Sequence, residues 1–445
     1  MSRATPTIHG SAAGYVGESR LFFALRLALA FMLLCMLLEA GLPQLEMAIF
    51  SGATPIPDRA PRFLCLVLML FIGYMQRTFN RVSLVPAALV VGVFLAGDTV
   101  FLYLDRSYSF GDLYHAYTLY YFILLLGAMA SSLRLRISPG ILTVFVMAGF
   151  LISVGFAILQ FATNDAILPT QSTDKSFVVD SWHFFGQVRA FGLFASPLNF
   201  GVFCCFIGAL AVAWCKSLKG FVLGVPVLIL AAFGCYATYT RLTIIGFVAC
   251  IASSIILSLR RLRPFAVWLP AVWLIVAVVA VSRLGSFGTQ GDFGLGNSSS
   301  FIQRLSSWAW CWEAFLRASL PEKLFGLGLM PHSGSQPATT ATNIAPVPID
   351  NIYAALLVQV GLIGLLVVGF FCWRCWKYLL RRVEEVNSPL IVAVAATWAT
   401  LTLLGMFNIV LNAMGCLLLL VSVVSSRETE VVQDTNRPPR ALRGQ

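Results

Sequence analysis

The sequence predicts an all-α integral membrane protein of about twelve transmembrane helices, with a large periplasmic loop carrying an amphipathic helix before the last three. Three observations predict it. The chain is 59% hydrophobic and only 11% charged, a balance that excludes an ordinary soluble domain. Apolar runs of about 20 residues recur along its length, each long enough to cross a hydrocarbon core of about 30 Å as a helix, the form in which a lipid-embedded backbone satisfies itself. Short connections rich in basic residues, finally, alternate with others of mixed charge.

In chain order the spans lie at 21–42, 63–76, 84–104, 117–133, 140–162, 197–215, 220–240, 242–259, 265–282, 352–373, 388–407 and 410–425, the second and last of them short. The second, fourth, sixth, eighth and tenth connections are short. They carry Arg77, Arg81, Arg134, Arg136, Lys216, Lys219, Arg260, Arg261, Arg263, Arg374, Lys377, Arg381 and Arg382, against only Glu384 and Glu385. This alternation places those loops and both termini in the cytoplasm. It also accounts for the net charge of +11 without nucleic acid as a partner. Four outward connections are long, at 43–62, 105–116, 163–196 and 283–351, and one is a tight turn at Arg241.

The chain therefore divides into N-terminal spans at 1–182, a membrane region at 183–425 containing the outer loop 283–351, and a tail at 426–445 whose Pro438-Pro439 and scattered charges read as disordered. The first twenty residues lack the short apolar region and cleavage site of a removable signal, so the first span is expected to be retained. Of eleven cysteines only Cys311 falls in an outer loop, which argues against a disulfide framework. The Cys372-x-x-Cys375 pair reads as packing at a helix end.

Chemistry is expected on the outer side, where loops are too long to be mere connectors. No phosphate-cradling Gly-x-x-x-x-Gly-Lys and no His-Glu-x-x-His occurs, so neither a nucleotide cofactor nor a metal is signalled. Three arginines stand out instead: Arg189 before the sixth span, Arg241 in the turn between the seventh and eighth, and Arg304 in the long loop. A guanidinium is a planar, permanently charged fork that matches phosphate oxygens, and three converging forks hold a pyrophosphate without a metal. Bland alternatives stay open for each: a solvated loop residue at Arg189, snorkelling to headgroups at Arg241, a polar helix face at Arg304. Around Arg304 the apolar residues Ile302, Leu305, Trp308, Trp312 and Phe315 recur at three- and four-residue steps, which predicts an amphipathic helix; Trp308, Trp310 and Trp312 suit the headgroup layer. The following Phe325-Gly326-Leu327-Gly328 breaks it, and the Ser/Thr/Pro-rich stretch 331–348 has the composition of a mobile cover.

Five short motifs occur in order: Arg-x-Phe-Gly-Leu-Phe-x-x-Pro-x-Asn-Phe-Gly at 189–201, Tyr-Thr-Arg-Leu at 239–242, Arg304 followed by Trp308, Phe325-Gly326-Leu327-Gly328, and Asp350-Asn351-x-Tyr353 running into Val360-Gly361-Leu362-Ile363-Gly364. Over roughly 185–410 the chain thereby resembles the O-antigen ligase and Wzy-type polysaccharide polymerase family. The resemblance implies glycosyl transfer at the outer face of a bacterial inner membrane, from an undecaprenyl diphosphate-linked glycan, with no cofactor and no metal. It implies that Arg189, Arg241 and Arg304 meet the donor pyrophosphate, and that Asn199, Trp308, Asn351 and Tyr353 lie with the substrate. A flippase and a chain-length regulator are the partners it brings into view. Ligases of the family characteristically place a histidine where this chain has Asp350, a departure that favours a polymerase of exopolysaccharide or O-antigen over transfer to lipid A core.

Asp350 has two readings. As a general base it takes the proton of an attacking hydroxyl; as a residue directly before a helix it caps that helix. With no second carboxylate placed as a nucleophile, direct displacement predicts inversion. A multi-pass transporter or a flippase is the rival class. The sequence lacks the paired halves and charged midplane those would need, Asp98 being an isolated acid near the end of its span.

Overall fold

The computed structural model describes residues 139–167, 183–184, 186–194, 196–286, 299–326, 351–386 and 388–405, with scattered positions in 24–29 and 64–71 and residues 417 and 420. The spans expected at 84–104 and 117–133, most of those at 21–42, 63–76 and 410–425, the cover at 331–348, the tail and Asp350 lie outside the described residues.

Within them the expected spans are helices. In order these are α1 (Pro139–Thr163), α2 (Pro197–Trp214), α3 (Leu218–Ala237), α4 (Arg241–Ser258), a 3-10 turn (Arg263–Trp268) leading into α5 (Leu269–Ser286), the helices α6 (Ser299–Arg317) and α7 (Leu320–Phe325) of the long connection, then α8 (Ile352–Val386) and α9 (Pro389–Leu404). Six helices among the described residues are long and apolar enough to cross a membrane, and the 16-residue α9 is a shorter apolar one. The described part of the chain is an all-α membrane architecture. The interruption is small: β1 (His183–Phe184) and β2 (Gln187–Val188) pair antiparallel in the loop after α1.

Helix starts follow local chemistry. Ser196 accepts from the Asn199 amide at 3.2 Å with Pro197 at the first helical position of α2, and Ser217 caps α3 through the Gly220 amide at 3.1 Å. Inside the bundle α9 is buried nearly all round, packed by α2, α4, α5 and α8, so its uniformly apolar sequence has no solvent face to mark. Small residues set the spacing. A side chain at Gly246 of α4 would meet Leu404 Cδ2 of α9 at 2.9 Å, and one at Gly201 of α2 would overlap Thr243 of α4.

One boundary differs from expectation. The sequence reading ends the tenth span at 373 and makes the charged stretch after it a connection, yet α8 continues helical to Val386. Cys375, Trp376, Leu379, Arg382, Val383 and Val386 are buried there, while Arg374, Lys377, Arg381, Glu384 and Glu385 are exposed. A helix needs only one apolar face, and charges on the other mark water rather than a break. Trp376 Nε1 anchors this extension by donating to the Val267 carbonyl at 3.2 Å, and Arg382 pairs with Glu385 at 3.3 Å.

Chain reversals bring the C-terminal ends of α1, α3 and α9 and the N-terminal ends of α2, α4 and α8 to one end of the bundle. The basic residues of the 215–219, 259–263 and 374–386 stretches lie at the other. Arg189, Arg241 and Asn351 all belong to the first end.

Candidate functional site

The segment 186–196 carries Arg189 with little regular structure, so its backbone groups need partners other than a ladder. They find them on two helices. Gln160, fully buried near the end of α1, accepts from the Phe191 and Gly192 amides at 2.9 and 3.0 Å and donates to the Ala166 and Gly192 carbonyls at 3.0 and 3.3 Å. Asn164, just past the helix in left-handed conformation (φ 54°), accepts from the Val188 amide at 2.6 Å and donates to the Gly186 carbonyl at 2.9 Å. The Ala190 amide donates to the Ala237 carbonyl at the end of α3, at 2.9 Å. Phe191 and Phe194 are buried, and Phe194 meets Phe203 with ring centroids 5.2 Å apart, which fixes the segment onto α2. Arg189 itself is half-buried, and its Nε is shielded from solvent.

The bond at Ala237 ties this segment to the turn that leads to Arg241. Three threonines hold that turn. Thr238 Oγ1 lies 3.0 Å from Thr243 Oγ1 and donates to the Cys235 carbonyl at 2.8 Å; the Thr240 amide donates to Thr238 Oγ1 at 3.2 Å; Thr243 Oγ1 lies 2.7 Å from the Thr240 carbonyl. Between them Tyr239 adopts φ 47°, a left-handed backbone uncommon for a bulky residue, and stacks on Phe161 of α1 at 6.1 Å between centroids. Arg241 follows, exposed, at the first position of α4. A cation there is on the wrong side of the helix dipole, which favours negative charge near an N-terminus by about 0.3 to 1 kcal/mol. An anion bound at the same place reverses the balance, because it meets both the guanidinium and the positive end of the helix dipole.

The third element is the pair α6 and α7. Cys311 and Trp310 of α6 pack on Ala354, Ala355 and Val358 of α8, and Ser307 is buried on the same stripe; Arg304 lies in the first half of α6. Trp308 is half-buried, while Trp312 (55% exposed) and Leu316 (53%) leave an apolar face uncovered. α7 begins with a capping box in which the Ser319 amide donates to Glu322 Oε2 at 2.6 Å, and the hydrogen bonds from Ser319 hold the Glu322 carboxyl below its usual range. Its end meets a break in α8. Gly361 has φ 65° and ψ −169°, and a side chain there would lie 2.5 Å from both the Gly326 amide nitrogen and the Leu324 carbonyl oxygen. Gly326 has φ 89°. Both glycines are needed, for backbone angle and for contact, so two motifs far apart in sequence form one joint.

At the start of α8 Asn351, 5% exposed, is the cap: its Oδ1 accepts from the Tyr353 and Ala354 amides at 2.9 and 3.1 Å. The Ile352 amide donates to the Gly405 carbonyl at 2.9 Å and Tyr353 Oη to the Thr402 carbonyl at 2.8 Å, docking this end of α8 onto α9. Asn351 and Tyr353 are thus both engaged in holding the helix, whereas Asn199 is exposed on the first turn of α2. Sequence reasoning passed over Gln160, Asn164 and the glycine joint. The signal for Gln160 was a lone amide within an apolar span, a group that is costly in lipid without partners.

Residues 226–369 match the family model described as O-Antigen ligase. The match spans Arg241, Arg304, Asp350, Asn351, Tyr353 and Gly361, and bears out the family resemblance drawn from the motifs. No curated protein matches the chain.

Proposed function

We propose that this membrane protein, with an O-antigen ligase family segment at 226–369, is a polymerase that joins lipid-linked oligosaccharide repeats at the outer face of the inner membrane. A glycan leaves its undecaprenyl diphosphate carrier and passes to the non-reducing end of another lipid-linked repeat. The acceptor hydroxyl oxygen attacks the anomeric carbon as the bond to the diphosphate oxygen breaks. The hydroxyl proton goes to the Asp350 carboxylate, and the bonding electrons leave with the diphosphate, whose charge the Arg189, Arg241 and Arg304 guanidinium groups offset. Displacement of this kind inverts the anomeric configuration. Neither a nucleotide nor a metal takes part, so EDTA leaves transfer intact.

The observation that carries this reading is the hydrogen bond from the Ala190 amide to the Ala237 carbonyl. It places the Arg189 segment beside the turn holding Arg241, at the same bundle end as Asn351. Two cation-bearing segments that share an end with a dipole-exposed helix start suit a diphosphate. The cap role is filled by Asn351, which supports leaving Asp350 for chemistry.

Asp350 in place of the histidine characteristic of ligases favours the polymerase over transfer to lipid A core. A deletion strain separates the two. Loss of a polymerase leaves single repeats on the lipid carrier and no long chains. Loss of a ligase instead leaves long chains accumulating on undecaprenyl diphosphate, and that result would return the chain to the ligase branch. Accumulation of unflipped repeats on the cytoplasmic face would favour the flippase. A chain-length regulator and a separate flippase are the partners this reading brings into view.

A further inference from the structure

We propose that Gln160, with Asn164 one turn later, is a positioning residue that fixes where Arg189 meets the anionic part of the donor. The inference rests on the reading of Arg189 as a diphosphate contact. The two amides hold the Arg189 segment on both sides of the arginine. Asn164 takes the Gly186 carbonyl and Val188 amide before it; Gln160 takes the Phe191 and Gly192 amides after it and returns a bond to the Gly192 carbonyl. Between the brackets the Ala190 amide is fixed to α3. The backbone on either side of Arg189 therefore has little freedom. Gly192 (φ 57°) seats the segment directly on α1, since a side chain there would lie 2.6 Å from the Ser153 carbonyl oxygen.

Burial makes the arrangement specific. Gln160 is fully buried near the end of an apolar helix, so its amide must keep all its partners or leave polar groups without solvent. An irregular segment is tolerated at membrane depth only where protein supplies such partners. α1 and the Arg189 segment both lie outside residues 226–369, and the bond from the Ala190 amide to the Ala237 carbonyl joins them to the family segment.

The test is a double-mutant cycle on glycan transfer, read at equal membrane abundance in full-length protein. Gln160→Met keeps length and volume and removes the bonds; Arg189→Lys keeps charge and loses the fork, leaving residual activity to measure. The expected result is a loss of about 10- to 100-fold for Gln160→Met, as for other misplacements of a binding group. The double variant should be no worse than the weaker single one, because Gln160 acts through Arg189. Wild-type transfer in Gln160→Met, or losses that multiply, would overturn the inference while leaving a diphosphate role for Arg189 standing. Wild-type transfer in Arg189→Ala would instead remove the reading on which it rests. If Gln160→Met fails to accumulate, Asn164→Gly takes its place: glycine keeps the left-handed backbone and loses only the amide. The same non-multiplying pattern with Arg189→Lys is then expected, and wild-type or multiplying behaviour again contradicts the proposal.

Discussion

Arg241 and Asp350 are each defined by what their neighbours already do. Arg241 opens α4, where the helix dipole opposes a cation and favours an anion. Lysine keeps that charge without the fork. Arg241→Lys and Arg304→Lys are therefore expected to lower transfer at normal membrane abundance, with about 1.5 to 3 kcal/mol lost per charge-assisted contact and more where the contact tightens in the transition state. Full activity of both Arg241→Ala and Arg304→Ala would remove the arginines from the account. At the start of α8 Asn351 is the cap, and catalysis is proposed for Asp350. Asn351→Ala removes the acceptor for two amides and should cost about 1 kcal/mol of stability, measured as a lower midpoint of thermal inactivation. Asp350→Asn should leave that midpoint in place and cut transfer by about 10²- to 10⁴-fold, with single lipid-linked repeats accumulating. Wild-type polymer in Asp350→Asn would end the general-base role.

Helices were legible from apolar length alone, and their edges fell within a few residues of expectation for α1 to α4. The end of α8 was not, because an apolar window reads charges as a boundary although the helix there uses only one face. The joint between α7 and α8 was harder still. Phe325-Gly326 and Val360-Gly361 stood out as separate motifs, yet nothing in either shows that their backbones touch; contact between distant segments is set by packing, which leaves no local periodicity. The joint carries its own prediction. Gly361→Ala forces a side chain into left-handed backbone and against Gly326, strain of about 1 to 3 kcal/mol. The expected outcome is a loosened α6–α7 pair, seen as faster proteolysis of the 299–326 region with α8 still inserted, together with reduced transfer. Unchanged proteolysis would show that the joint tolerates the methyl.

At the scale of the whole fold, the described residues place the irregular, cation-bearing segments at one bundle end and the basic helix ends at the other, the asymmetry that the proposed outward-facing site would have. The five motifs made that end legible in outline, since all were expected on outward connections. The supports from α1 were not legible, because Gln160 and Asn164 belong to no motif and act only through the fold. The measurement that tests the central claim most directly is turnover by the purified full-length protein in liposomes, supplied with an undecaprenyl diphosphate-linked repeat and neither nucleotide nor metal. The account predicts lipid-linked dimers and longer chains, with one undecaprenyl diphosphate released per linkage and the anomeric configuration inverted. Repeats that cross the bilayer unjoined, or that stay intact until a lipid A core acceptor is added, would contradict it.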